Sequence, residues 1–100
     1  MVKVKKRITT HPGEVLSEEF LKPLKISQHK LALEIRVPAT RIGEIVHRRR
    51  AIAPETSLRL ARYFGTSPEF WLNLQQTFDL SKVRAEQEAK IAREVRSYAD

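Results

Sequence analysis

Residues 27–45 read SQHKLALEIRVPATRIGEI. Ser27 suits a helix N-cap, because its hydroxyl can accept a bond from a free amide of the first turn. Leu31, Ala32 and Ile35 then recur at the spacing of a buried helical face. Arg36-Val37 interrupts the run. Pro38 is disfavoured inside a helix but pre-set for the first position of a new one, and it pushes Val37 out of the helical region. After it Ile42, Ile45 and Val46 are apolar, while Ala39, Thr40, Arg41 and Glu44 face outward. Two short helices separated by about three or four residues, the second polar at its N-terminal end, make a helix-turn-helix, which lays its second helix in the major groove of DNA. The expected partner is double-stranded DNA.

The 100 residues suffice for one domain with a real core. The chain has no cysteine, which excludes a disulfide framework and a thiolate metal site and fits a reducing cytoplasm. No apolar run approaches a membrane span, and the basic start MVKVKKRITTHPGE lacks the apolar centre of a signal peptide. A cytoplasmic protein with no membrane partner is expected. Lys and Arg number 19 against 12 Asp and Glu, a net charge of +7. The excess gathers in Lys3, Lys5, Lys6 and Arg7 and again in Arg36, Arg41, Arg48, Arg49 and Arg50, as a phosphate-binding surface requires. From Asp79 onward the charges balance.

Outward from the central stretch, the reading is all-α. Residues 1–10 form a flexible basic arm, in which Val2 and Val4 alternate with lysines and leave a short strand open. Residues 11–78 form the DNA-binding domain. Its first helix opens at His11-Pro12-Gly13-Glu14, buries Val15, Leu16, Phe20 and Leu21, and ends at Pro23. A loop carries Arg48-Arg49-Arg50. Pro54 starts a fourth helix that Gly65 closes, and Ser67-Pro68-Glu69 opens a fifth, rich in aromatic residues. Residues 79–100 form an additional C-terminal amphipathic helix starting at Asp79 or Ser81, with a stripe of Leu80, Val83, Gln87, Ile91, Val95 and Tyr98.

Enzymatic chemistry finds no support. His11, His29 and His47 sit on separate segments, no HxxxH or HExxH pair exists, and there is no glycine-rich phosphate loop. No catalytic residue, metal or cofactor is expected. RNA binding would need aromatics interleaved with the bases, and here they occupy separate segments.

HPGEVLSEEFLKPL followed by SQHKLALEIRVPATRIGEIVHRRRAIAPETSLRLARYFGTSPEFWLNLQQTFDL resembles the HigA-type, or VapI-like, antitoxins of the Xre/Cro lambda-repressor-like superfamily. The likeness covers roughly residues 11–80. It implies a five-helix lambda-repressor-like domain, neutralisation of a HigB-type toxin (a RelE-like endonuclease of messenger RNA), and repression of the operon that encodes both. The alternative is a stand-alone helix-turn-helix repressor without a toxin. Two positions depart from the family: Arg36 stands where glycine is frequent, and His47-Arg48 where Asn-Gly is.

The expected DNA-binding residues are Ser27, Gln28, Ala39, Thr40, Arg41, Glu44, Arg48 and Arg49. Arg41 can bridge guanine O6 and N7 or bind a phosphate. Glu44 can accept from cytosine N4 or tether Arg41 or Arg48. Arg48 and Arg49 fit backbone clamps. A monomer offers one short reading helix, so a homodimer is expected, joined through Phe70, Trp71, Leu74 and Phe78 together with the last helix, unless Trp71 is plain core. For a basic toxin the complementary surface is the acidic face of Glu14, Glu18 and Glu19, which is equally well an ordinary solvated face.

Overall fold

A computed structural model describes residues 8–99 of the chain, so most of the expected basic arm lies outside the described residues. Five helices and no strand occur among them. The first, α1 (residues 12–24), is composite: an α turn Pro12–Val15, a π-helical segment Leu16–Leu21, and a last α turn Lys22–Leu24. Pro23 therefore does not end it. In the widened segment the Lys22 amide reaches the Ser17 carbonyl, one residue further than in an α-helix. That opening makes room for the proline ring, whose nitrogen has no hydrogen to donate.

The unit comprises α2 (Gln28–Ile35) and α3 (Ala39–Val46). Ser27 caps α2 as expected, its Oγ accepting the Lys30 amide at 3.0 Å. Pro38 stands one position earlier than expected: it is the N-cap of α3, extended at φ −54° and ψ 138°, and its carbonyl receives the amides of Arg41 and Ile42. Then follow α4 (Pro54–Phe64) and α5 (Pro68–Glu94). The expected break at residues 79–81 does not exist, and the anticipated sixth helix is the continuation of α5. Ser81 does not cap a new helix, because its hydroxyl donates back to the Phe78 carbonyl at 2.8 Å and accepts the Thr9 amide at 3.0 Å. Val95 leaves the helix with extended backbone, so Val95 and Tyr98 lie beyond the stripe's helical part.

Leu16, Leu21, Leu31, Ile35, Ile42, Ile45, Ile52, Leu60 and Trp71 form one core. Trp71 is 0% exposed. Its ring packs beside Phe20, Phe64 and Phe70, and its Nε1–H donates to Thr66 Oγ1 at 2.8 Å. Trp71 is thus a core residue and not a direct contact between copies. The C-terminal half of α5 leaves this globule and gives the molecule its 53 Å long axis. The α2 C-terminus gains a distant cap: Arg59 of α4 donates to the Ile35 carbonyl at 3.0 Å while Glu55 holds its other edge.

Three basic residues, Lys25, Arg36 and Arg48, close α1, α2 and α3 with left-handed backbone at φ 57°, 57° and 63°. In each case the next amide reaches five residues back: Ile26 to Leu21, Val37 to Ala32, and Arg49 to Glu44. This is the Schellman ending, normally given to glycine. Cationic side chains compensate in part by facing the negative ends of the helix dipoles. Arg36→Gly removes the Cβ conflict, and it is expected to raise unfolding stability by up to about 1 kcal/mol. A urea midpoint at or below that of the wild type would argue against strain at this turn.

Candidate nucleic-acid interface

The exposed surface of the α2–α3 unit brings most of the expected residues together. Ala39 and Thr40 form the open first turn of α3, where Pro38 supplies no side-chain cap. Gln28 reaches over from α2: its Oε1 lies 3.7 Å from where a Cβ on Gly43 would stand. Arg41 is half-buried beside them. Among the described residues no hydrogen bond or ion pair engages the side chains of Arg41, Arg48 or Arg49. Those guanidinium groups are available to an anion. Ser27 faces the same edge but spends its hydroxyl on the cap.

Glu44 has a different partner from the two considered. It pairs with Arg50, whose Nε lies 3.0 Å from Glu44 Oε1. Both side chains are nearly half exposed, so the pair contributes little stability. Its effect is geometric, holding the third arginine of the run against α3.

His11 sits behind this surface. Its ring is buried, stacks edge-on to Phe78 at 4.8 Å, and its Nδ1 accepts the Gly13 amide at 2.9 Å as the α1 N-cap. Burial lowers its pKa below the ordinary 6.5, and the nearby Arg48 lowers it further while Asp79 opposes. A cap that must accept a bond needs the neutral ring, which leaves no role as a functional base. The unfolded chain takes up a proton first as pH falls, so stability is constant above about 6.5 and declines below it until the folded pKa is reached. Thermal melts from pH 8 to 5 should show that decline, and it should be weaker in His11→Asn, which keeps a cap but cannot titrate. Parallel profiles would exclude His11 as the titrating group.

The other expected residues are dispersed. Leu74 and Phe78 are half-buried against the protomer, and Phe70 is 37% exposed beside Phe20 and Trp71. The exposed apolar groups of α5 lie further on: Leu80 is 49% exposed, Val83 42% and Ile91 43%. Leu72, Gln75, Gln76, Asp79, Leu80 and Val83 line a shallow groove there. Glu14, Glu18 and Glu19 are exposed on α1, with Glu18 paired to Lys22 at 2.7 Å. None of the helices among the described residues is long and apolar enough to cross a membrane.

Residues 18–71 match the Helix-turn-helix family model. The chain is similar to virulence-associated protein I of Dichelobacter nodosus, 46% identical over 79 residues that make up 79% of this chain and 73% of the relative. It is 35% identical to antitoxin HigA-1 of Vibrio cholerae, over 88% of this chain and 85% of that one. Among solved structures, the Pseudomonas aeruginosa antitoxin HigA with the higBA promoter superimposes with a TM-score of 0.88, at 38% identity, covering 92% of this chain and 99% of that one. The Vibrio cholerae and Pseudomonas aeruginosa relatives are antitoxins, the second solved with promoter DNA. Family model, sequence relatives and backbone agree that the chain belongs to the helix-turn-helix proteins of the HigA antitoxin type.

Proposed function

We propose that this protein is the antitoxin of a type II toxin–antitoxin pair in the cytoplasm, and that as a homodimer it binds operator DNA and represses its own operon. The observation that carries the DNA half is the unengaged cationic edge: Arg41 stands beside the open first turn of α3 with Gln28 laid alongside, and Arg48 and Arg49 follow the other end of the same helix. Similarity to a HigA bound to its promoter supports the same reading. Ala39 and Thr40 enter the major groove, Arg41 reads a base edge, and Arg48 and Arg49 clamp the backbone. Two copies joined along the exposed Leu80, Val83 and Ile91 stripe present two reading helices to successive half-sites about 34–36 Å apart or a multiple of that distance.

Binding of the duplex upstream of the gene, followed by fluorescence anisotropy across a salt series, tests this half. Arg49→Ala should make the slope of log K against log salt shallower by about 1 per bound protomer without altering site preference, and Arg41→Ala should relax preference at one base pair. Identical slopes in wild type and Arg49→Ala would remove that residue from the backbone clamp. The toxin half concerns a HigB-like messenger-RNA endonuclease, with Glu14, Glu18 and Glu19 as the complement to a basic toxin surface. Expressing the neighbouring short reading frame with and without this chain tests it: growth arrest relieved by the chain supports the antitoxin. A harmless neighbour leaves a stand-alone repressor.

A further inference from the structure

One buried polar side chain is not explained by the core or by the DNA-facing edge. Gln75 of α5 is 6% exposed. Its Oε1 accepts the Ile52 amide at 2.8 Å, and its Nε2 donates to Asp79 Oδ1 at 2.9 Å. Ile52 belongs to residues 47–53, the connection that carries Arg48, Arg49 and Arg50, and its own side chain is buried. Two anchors therefore hold this connection. At its start the Arg49 amide closes α3 through the Glu44 carbonyl, and at its end Ile52 is fastened to a helix 23 residues further along the chain. Asp79 keeps the amide of Gln75 in the orientation that presents oxygen, rather than nitrogen, to Ile52. A reversed amide would set two N–H groups against each other.

We infer that Gln75, oriented by Asp79, is a positioning residue for DNA binding, fixing the arginine connection to α5 so that Arg48 and Arg49 meet the phosphate backbone together. This rests on the DNA half of the proposed function. It also links the helix that carries the contact between copies to the element that grips the backbone.

The test uses the full chain and the duplex upstream of its gene. In Gln75→Glu the carboxylate still accepts from Ile52, but its second oxygen now faces the carboxylate of Asp79. Adding Asp79→Asn restores a donor opposite an acceptor. Gln75→Glu is expected to weaken binding at least tenfold and to make the salt slope shallower by about 2 per bound protomer, as the loss of two phosphate contacts requires. The double variant should recover both. Sedimentation should give the same oligomeric state for all three proteins, and hydrogen exchange should show the Ile52 amide less protected in the single variant alone. A fall in melting temperature with an unchanged slope would mean a purely structural role and would overturn the inference. So would failure of the double variant to recover. Should Gln75→Glu not fold, Asp79→Ala at the exposed partner carries the same expectation with a smaller loss, and an unchanged slope there overturns it. Absence of binding by the wild type would sink the DNA reading and this inference with it, whereas equal binding by wild type and Gln75→Glu sinks the inference alone.

Discussion

Gly13→Ala is expected to destabilise the protein by about 3 kcal/mol or more, against the sign that helix propensity gives. Gly13 lies in the first turn of α1, and a glycine-to-alanine change inside a helix ordinarily stabilises by up to about 1 kcal/mol. Here the added Cβ would stand 1.8 Å from the Ile45 carbonyl oxygen and 2.7 Å from its carbon. Both are backbone atoms of α3, so no side-chain rotation relieves the overlap, and overpacking of this kind costs about 1–3 kcal/mol or more. Relief requires α1 and the reading helix to separate. The same variant should therefore lose DNA affinity in excess of its unfolded fraction. Urea unfolding combined with anisotropy at a temperature where the variant is folded measures both. A midpoint above the wild type would mean that propensity wins and that the helices are not in close register.

Trp71→Ala carries the other large effect, about 3–5 kcal/mol from lost burial and cavity formation. Domains of this size are stable by roughly 5–15 kcal/mol, so the variant should lose a large share of that stability and unfold at a much lower urea concentration. An interface residue would behave otherwise: its truncation would leave folded monomers. Circular dichroism and sedimentation separate the two outcomes. Trp71→Phe should retain the fold at reduced stability, because the ring contacts with Phe20 and Phe64 survive while the bond to Thr66 is lost. The single tryptophan also reports on the question directly. Its emission should stay blue-shifted on dilution through any dimer dissociation and shift red only on unfolding. A red shift that tracks dissociation would return Trp71 to the contact between copies.

The helix-turn-helix was legible from residues 27–45 because its signals are local. A hydroxyl cap, a 3.6-residue period and a proline each act within one turn of chain. The same locality made the charged edge readable: Arg41, Arg48 and Arg49 are placed by the helix and turn that contain them. Glycine-free turns at Arg36 and Arg48 showed that the hydrogen-bonded Schellman ending, more than the residue type, sets the backbone there. What local chemistry could not show is which surfaces meet. Asp79 and Ser81 have the composition of a helix start, yet their side chains are taken up by Gln75 and by Phe78 and Thr9, and α5 runs on. The aromatic run around Trp71 looked surplus to a small core until Phe20 and Phe64 were brought beside it. Contacts such as Gly13 with Ile45, Ile52 with Gln75, and Ile35 with Arg59 join residues more than twenty apart. They depend on how whole helices cross, a property of the packed core and of no single segment. Local sequence therefore determined the helix-turn-helix unit, and tertiary packing decided how rigidly it is held and which face of α5 stays exposed.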